Sequence, residues 1–204
     1  MLKKALIGLA VVVAVLLAVV ATRPESFHVE RTTLIAAPAQ VVFDQINDFH
    51  NWGGWSPWDH LDPNQKKTYS GSPMGAGAQY AWAGNDKVGE GNMTIVEAKA
   101  PEIVKIKLDF IKPFPAKNDT AFTLAATGVT VKVVWSMDGA YDFMGKAASI
   151  FMDMDSMIGK DFEAGLASLR TIAEARAKKD AAEAAARAAA AAAAAAPPPA
   201  PSAP

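Results

Sequence analysis

Cysteine is absent from the 204 residues of this chain, so the sequence can form neither a disulfide framework nor a thiolate metal site. Histidine is scarce, at three residues. The charges nearly cancel, with 20 Lys and Arg against 21 Asp and Glu, and the basic residues gather into no face or stripe. Nucleic acid is therefore not an expected partner. The nucleophile elbow G-x-S-x-G and the zinc motif H-E-x-x-H are also missing.

An uninterrupted apolar run occupies the amino-terminal end of the sequence. Residues 5–21 contain no polar side chain and follow Lys3 and Lys4. Seventeen such residues are at the lower limit for crossing a hydrocarbon core of about 30 Å, and slightly more than the apolar region of a signal peptide holds. We favour a retained membrane anchor, residues 1–22. A signal peptide cut after Ala21 is the alternative, although Val19 spoils the usual cleavage pattern.

The anchor interpretation predicts a topology. Lys3 and Lys4 would remain in the cytoplasm by the positive-inside rule, so the rest of the chain would lie on the other side of a single-pass inner membrane. That side is the periplasm in a Gram-negative cell. Residues 23–26 are a short linker, and residues 178–204 are an Ala/Pro-rich tail. The 27–177 segment between them is long enough for one domain with a hydrophobic core.

Alternating apolar residues predict an antiparallel sheet with one solvated face. On the last strand Val129, Val131, Val133, Trp135 and Met137 share one face. A helix starting near Pro38 interrupts the strands, because Pro suits a first helical turn. The predicted strands are residues 27–35, 78–82, 90–98, 103–110, 119–127 and 129–137.

The spacing of apolar residues changes after about Tyr141, to steps of three and four. A long helix with one buried stripe is predicted there, and its stripe residues are Ile158, Phe162, Leu166, Leu169 and Ala173. Gly159 and Gly165 each cost a helix about 1 kcal/mol relative to Ala, so we expect another element to approach closely at these positions. The tail should continue this helix, since Glu183 and Arg187 are spaced i, i+4, until "PPPAPSAP" ends it in an extended segment. Strands followed by a helix indicate an α+β fold.

Several segments resemble one superfamily: "APAQVVFDQINDFHNWGGWSPW", "GAGAQYAWAGN", "VGEGNMTI" and "MDMDSMIGKDFEAGLASLR". They are similar to the SRPBCC superfamily, the START/Bet v 1-like helix-grip group, in its polyketide cyclase/dehydrase and lipid-transport branch. The resemblance covers residues 27–177. It implies about seven antiparallel strands curved around the long C-terminal helix, a deep apolar cavity between them, and a lipid, sterol, polyketide or other apolar small molecule as ligand.

The stretch "DFHNWGGWSPWDHLD" concentrates the residues that could carry chemistry. His50, Asp59 and His60 are metal-ligand types, but their spacing suits no common metal site, and we expect no metal and no cofactor. Asp48 and Asp59 could lie at a pocket mouth; we expect them to cap helices or turns instead. We expect alternation to turn Asp109 outward. We favour Trp52 and Trp55 as side chains that close the end of the fold, with lining of the cavity as the alternative.

We therefore predict a binding site without catalytic residues, lined by twelve apolar and aromatic side chains: Trp55, Trp58, Tyr80, Trp82, Met93, Ile106, Leu108, Phe122, Trp135, Ile158, Phe162 and Leu166. Met144, Met152, Met154 and Met157 suit an adaptable pocket, and "YDFMGKAASIFM" could lie against lipid. The predicted function is a membrane-anchored carrier of a hydrophobic small molecule or lipid, with the membrane bound through residues 5–21. A cyclase or dehydratase using a cavity carboxylate or histidine, and a non-catalytic interaction module, are the alternatives.

Overall fold

The computed structural model describes residues 2–195, and the extended segment predicted at the end of the tail lies outside that range. Four α-helices occur: α1 (Leu2–Ala21), α2 (Ala39–Asn47), α3 (Phe143–Ala148) and α4 (Met154–Ala195). Seven strands form one sheet: β1 (Ser26–Ile35), β2 (Lys66–Gly71), β3 (Ala78–Ala83), β4 (Glu90–Lys99), β5 (Ile103–Lys112), β6 (Ala116–Thr127) and β7 (Thr130–Ala140). Two 3-10 helices, Phe49–Gly54 and Pro57–His60, follow α2. The α+β helix-grip fold is confirmed.

The sheet is antiparallel throughout, in the order β1-β7-β6-β5-β4-β3-β2. Strand β2 was not among the strands predicted from apolar alternation. Its sequence, KKTYSG, is exposed at every residue. It forms an edge of the sheet, where a short, charged strand is typical because it discourages pairing with other chains.

One prediction for the last strand is wrong. Val129 does not share the buried face with Val131, because β7 begins at Thr130 and Val129 belongs to the preceding turn, where it is 88% exposed. Gly128 takes a positive φ in that turn, as tight hairpin turns require. The other four residues of the predicted face, from Val131 to Met137, are buried.

Helix α4 lies across the concave face and buries the predicted stripe at Phe162, Leu166, Leu169 and Ala173. Its two glycines lie where other groups come close. A Cβ at Gly159 would clash with the Arg31 guanidinium, which pairs with Asp155 and Glu163 at 2.8 Å. A Cβ at Gly165 would lie 2.8 Å from the Trp135 ring. Both glycines therefore permit the close packing that was expected.

Gly165→Ala should destabilise the protein although alanine is the better helix former. The propensity gain is about 1 kcal/mol, whereas overpacking a core costs about 1–3 kcal/mol. The Trp135 ring cannot yield, since it stacks on Phe162 with 4.0 Å between ring centroids. We expect a net loss of about 1 kcal/mol in the free energy of unfolding, measured by urea denaturation. Ala164→Gly on the exposed face is the control for propensity alone; a stability gain from Gly165→Ala would contradict the packing argument.

Helix α1 has 20 residues and contacts the domain near its carboxyl-terminal end, at Val20. It is long and apolar enough to cross a membrane, a property that signal sequences share. Val20 is buried, and the Arg23 side chain donates hydrogen bonds to the Ser149 hydroxyl (3.1 Å) and carbonyl (2.7 Å). At the other end of the chain, α4 continues beyond the sheet to Ala195, where its side chains are exposed.

Candidate functional site: an apolar cavity between the sheet and the long helix

A cavity of about 1290 Å³ lies between the concave face of the sheet and the start of α4. Ligand pockets usually enclose about 300–1,000 Å³, so there is room for a large ligand. Its walls come from β3 to β7, the second 3-10 helix, α3 and the first turns of α4. The sheet register determines which side chains reach it.

Inward-facing residues on neighbouring strands form rows across the sheet. The middle row pairs Tyr80, Met93, Leu108, Asn118 and Gly139 in succession from β3 to β7. A second row lies two residues further along each strand, about 7 Å from the middle row. We call it the mouth row, and it holds Trp82, Gly91, Phe110 and Ala116. In the opposite direction, the deep row holds Ile95, Ile106, Thr120 and Met137.

Seven of the twelve predicted lining residues border the cavity. They come from strands β3, β4, β5 and β7, from the second 3-10 helix and from α4: Trp58, Tyr80, Trp82, Met93, Leu108, Trp135 and Ile158. Their rings and aliphatic chains make most of its surface apolar. This is the composition that a hydrophobic ligand requires.

The structure places the other five in the packed core instead: Trp55, Ile106, Phe122, Phe162 and Leu166. Alternation identifies the inward face of a strand, but not how far the cavity extends along it. Helix α2 packs against β5 and β6, so the deep ends of these strands are covered. Ile106 and Phe122 lie there, below the cavity floor.

Aromatic side chains close the floor. Trp55 contacts Trp52, Trp135 and Phe122, with ring centroids 4.6, 5.6 and 5.9 Å away. Trp52 donates from Nε1 to the Ile46 carbonyl at 2.9 Å, and also borders the cavity. The expectation that the two tryptophans close this end holds for Trp55. Trp52 packs in this floor as well, but it also borders the cavity, where a ligand could contact it.

A hydrogen-bonded cluster around Asp59 forms one polar patch in the wall. Asp59 accepts a hydrogen bond from the Tyr80 hydroxyl at 3.3 Å and pairs with Lys67 at 2.9 Å. Gln65 donates to the same carboxylate at 3.3 Å. Burial raises the pKa of Tyr80 above its usual range, so the phenol keeps its proton. Asp59 was expected to cap a turn; it instead joins β2, β3 and the second 3-10 helix.

Two other acidic residues bear on the predictions. Asp48 does cap, accepting from the His50 backbone N–H at 2.9 Å. Asp109 was expected to point outward with the charged residues of β5. Its pairing with Asn92 keeps it on the face opposite Leu108 and Phe110, yet it is half-buried and borders the cavity near the mouth.

Asn118 is the polar residue that sequence analysis missed. It stands in the middle row, is 7% exposed and borders the cavity, so a ligand there would meet its side-chain amide. The other inward polar residue of β6, Thr120, is engaged within the protein: it donates to the Ser136 carbonyl at 2.7 Å and accepts from Trp135 Nε1 at 3.0 Å. The sequence does offer a sign that Asn118 faces inward: it lies two residues before Thr120 on β6, and alternate residues of a strand share one face.

The cavity opens beyond the mouth row. Four exposed apolar side chains border it there: Ile111, Phe114, Met144 and Met152. We call these four the rim. The sequence pattern points to Met144 and Met152 as methionines that suit a pocket, but it does not single out Ile111 and Phe114. The turn sequence "IKPFPA" carried the signal, an apolar pair between prolines where a hairpin turn is usually polar.

Histidines and metal-ligand groups lie elsewhere. His28, His50 and His60 are outside the cavity lining, and His28 and His50 each bond a carboxylate oxygen at 2.7 Å, from Asp138 and Asp48 respectively. Within residues 2–195 no three His, Asp or Glu side chains converge as metal ligands would.

Comparison with known proteins gives one family. The sequence profile described as "Polyketide cyclase / dehydrase and lipid transport" matches residues 26–174. No curated protein matches the chain in sequence.

Solved structures share the fold at low sequence identity. Protein CV1439 from Chromobacterium violaceum is 14% identical, with a TM-score of 0.53 over 74% of this chain and 98% of its own. The Aha1 dimer from Colwellia psychrerythraea is 12% identical, with a TM-score of 0.51 over 72% and 96%. Major latex-like protein 151 from Panax ginseng is 13% identical, with a TM-score of 0.50 over 76% and 99%.

Proposed function

This chain belongs to the polyketide cyclase/dehydrase and lipid transport family, and we propose that it binds or carries a hydrophobic small molecule or lipid. The observation that carries the proposal is the large aromatic-lined cavity of about 1290 Å³. Affinity would come from burial of apolar ligand surface, at about 25 cal/mol per Å². No covalent step is required.

The ligand should carry one polar group. A ligand that fills the middle row would cover the Asn118 amide, and removing that amide from water costs free energy unless the ligand supplies a hydrogen-bond partner. The remainder of the middle row is apolar apart from the Tyr80 hydroxyl, which Asp59 already engages. A ligand with an apolar body and a hydroxyl, carbonyl or headgroup at Asn118 fits both facts.

Helix α1 supports a membrane-anchored carrier. Its 20 residues span about 30 Å as a helix, the thickness of a hydrocarbon core. With Lys3 and Lys4 in the cytoplasm, the cavity would lie in the periplasm, next to the membrane that holds the anchor. A ligand that is nearly insoluble in water would then have a source within reach.

Leu108→Ala and Ile106→Ala form a matched pair for testing the cavity. Both residues lie on the inward face of β5, two positions apart, but only Leu108 borders the cavity. Leu108→Ala should weaken ligand binding about tenfold, by loss of apolar contact. Ile106→Ala should leave binding nearly unchanged and cost about 2–5 kcal/mol of stability, because it opens a void in the packed core.

The full chain, purified from its native membrane in mild detergent, would be analysed by native mass spectrometry for a co-purifying molecule. Affinity for that molecule would then be measured for both variants. An equal loss of affinity in Leu108→Ala and Ile106→Ala would show that the stability of the fold, rather than contact between Leu108 and the ligand, determines binding. Protein that is empty and refuses a panel of lipids and apolar metabolites would contradict the carrier function, and a ligand without any hydrogen-bonding group would contradict the role of Asn118.

Catalysis by Asp59 is a second candidate, because its carboxylate is nearly buried and belongs to the cavity wall. A general base needs a free oxygen directed at the substrate, and here Lys67 and Tyr80 each take one side of the carboxylate. Carriage is therefore favoured. Recovery of a chemically altered molecule, abolished by Asp59→Asn, would reverse this order. A non-catalytic interaction module is disfavoured by the size of the cavity.

A further inference from the structure

The mouth of the cavity and the end of the anchor lie at the same end of the sheet. Strand β1 starts at Ser26, which pairs with Ala140 at the end of β7. The start of β6 lies beside that end too, since Asn118 pairs with Gly139. The β5–β6 turn that carries Phe114, and helix α3 after β7, are therefore both on the anchor side.

The connection between α1 and the sheet is too short and too well held to let the domain move far. It comprises residues 22–25, which span at most about 14 Å when extended. The Arg23 guanidinium is bonded to Ser149, which itself borders the cavity. Lys146 pairs with Glu25 at 3.3 Å, adding a second contact between the connection and α3. If α1 crosses a membrane, the mouth must lie next to its surface.

The side chains at this end are the kind that membranes bind. Phe114 is 80% exposed, and Met144 and Phe151 are also exposed by more than half of their surface. Phe143 beside them is 58% exposed. Grouped exposed aromatic and thioether side chains mark a surface that binds another apolar phase, and such groups insert about 5–10 Å into the headgroup region of a bilayer.

We infer that the rim rests in the leaflet into which α1 emerges, so that ligand passes between the cavity and that leaflet without crossing water. The inference rests on the proposed function and adds the partner, which is the lipid bilayer itself. The bilayer is chosen over a protein partner because the anchor places it there without any further interaction. Phe114 and the other rim residues would shield the ligand during transfer.

The absence of cysteine permits a direct test. Phe114→Cys and Val129→Cys each give the full chain one thiol, for labelling with an environment-sensitive fluorophore. Both side chains are exposed and both lie in hairpin turns, but at opposite ends of β6, roughly 37 Å apart. In vesicles of phosphatidylcholine and phosphatidylglycerol that contain spin-labelled lipid, the label at position 114 should be quenched at least about threefold more than the label at 129.

Equal quenching at the two positions, strong or absent, would overturn the inference. Vesicle flotation separates this failure from failure of the proposed function. If the protein floats with the vesicles and binds ligand but shows no quenching at position 114, the proposed cavity and anchor stand and only the membrane-facing mouth is contradicted. Protein that does not float would lose the anchor and, with it, this inference.

Transfer kinetics give a second measurement. Phe114→Asp should slow movement of a fluorescent lipid from vesicles to the protein about tenfold, because a charge is disfavoured at the bilayer. Val129→Asp should leave both the rate and the amount of lipid bound at equilibrium unchanged, and Phe114→Asp should slow the transfer by more than it lowers the amount bound. Equal rates for the two variants would contradict transfer through the rim.

Discussion

Trp135→Ala should remove about 3–5 kcal/mol from the free energy of unfolding. Trp135 is buried and stacks on Phe162 from α4, with ring centroids 4.0 Å apart and planes 8° from parallel. It also stacks on Phe122 and meets Trp55 and Trp58 edge to face. One side chain thus joins the sheet, the 3-10 helices and α4. Since small domains are stable by about 5–15 kcal/mol, the variant should be close to unfolding at 37 °C.

The measurement is resistance to proteolysis across a urea series, which does not depend on tryptophan fluorescence. Trp135→Phe retains a ring on Phe162 but loses the hydrogen bond from Nε1 to Thr120, so its cost should be about 1–2 kcal/mol. Trp82→Ala is the matched control, because Trp82 stands half-buried in the mouth row. A Trp135→Ala variant no less stable than Trp82→Ala would show that α4 is held mainly elsewhere.

The periodicity of the sequence predicts the elements that make this core. Steps of two on β4 to β7, and steps of three and four on α4, correctly identify the two faces that meet around Trp135 and Phe162. Strand β2 escapes this kind of prediction because none of its residues is buried; it is held to β3 by backbone pairing and by exposed side-chain contacts such as the Ser70–Gln79 hydrogen bond of 3.0 Å. The pattern of apolar residues predicts strands that bury one face, but it does not predict a strand such as β2 whose residues are all exposed.

The extent of the cavity is a different matter. Leu108 and Ile106 have the same pattern in the sequence, yet only Leu108 borders the cavity, because the position of α2 over β5 decides where packing ends. Such a boundary arises from elements distant in sequence. The role of Asp59 is of the same kind, since its partners Lys67 and Tyr80 lie on strands whose register the sequence does not state.

The proposed membrane anchor, helix α1, connects these local features to the proposed function, and a test of it gives the second large effect. Replacing Val12 and Val13 with Arg should remove the full chain from the membrane fraction. Each charge at the centre of a spanning helix costs about 2.5–3.5 kcal/mol on insertion, so the pair costs roughly 6 kcal/mol. Among the residues of α1, only Val20 is buried by the domain. The domain therefore leaves almost all of this apolar helix uncovered, as a membrane-spanning helix would be.

Extraction of membranes at alkaline pH, followed by intact mass measurement, checks this result. Wild-type protein should remain in the membrane with residues 1–22 present, and Val12→Leu should behave in the same way. Recovery of wild-type protein in the soluble fraction without residues 1–21 would identify a signal peptide cut after Ala21. In that case Val20 would lose its buried place against the domain, and the cavity mouth, although unchanged in shape, would no longer be held at a membrane. Retention of α1 is thus what distinguishes a membrane-bound carrier from a soluble one with the same cavity.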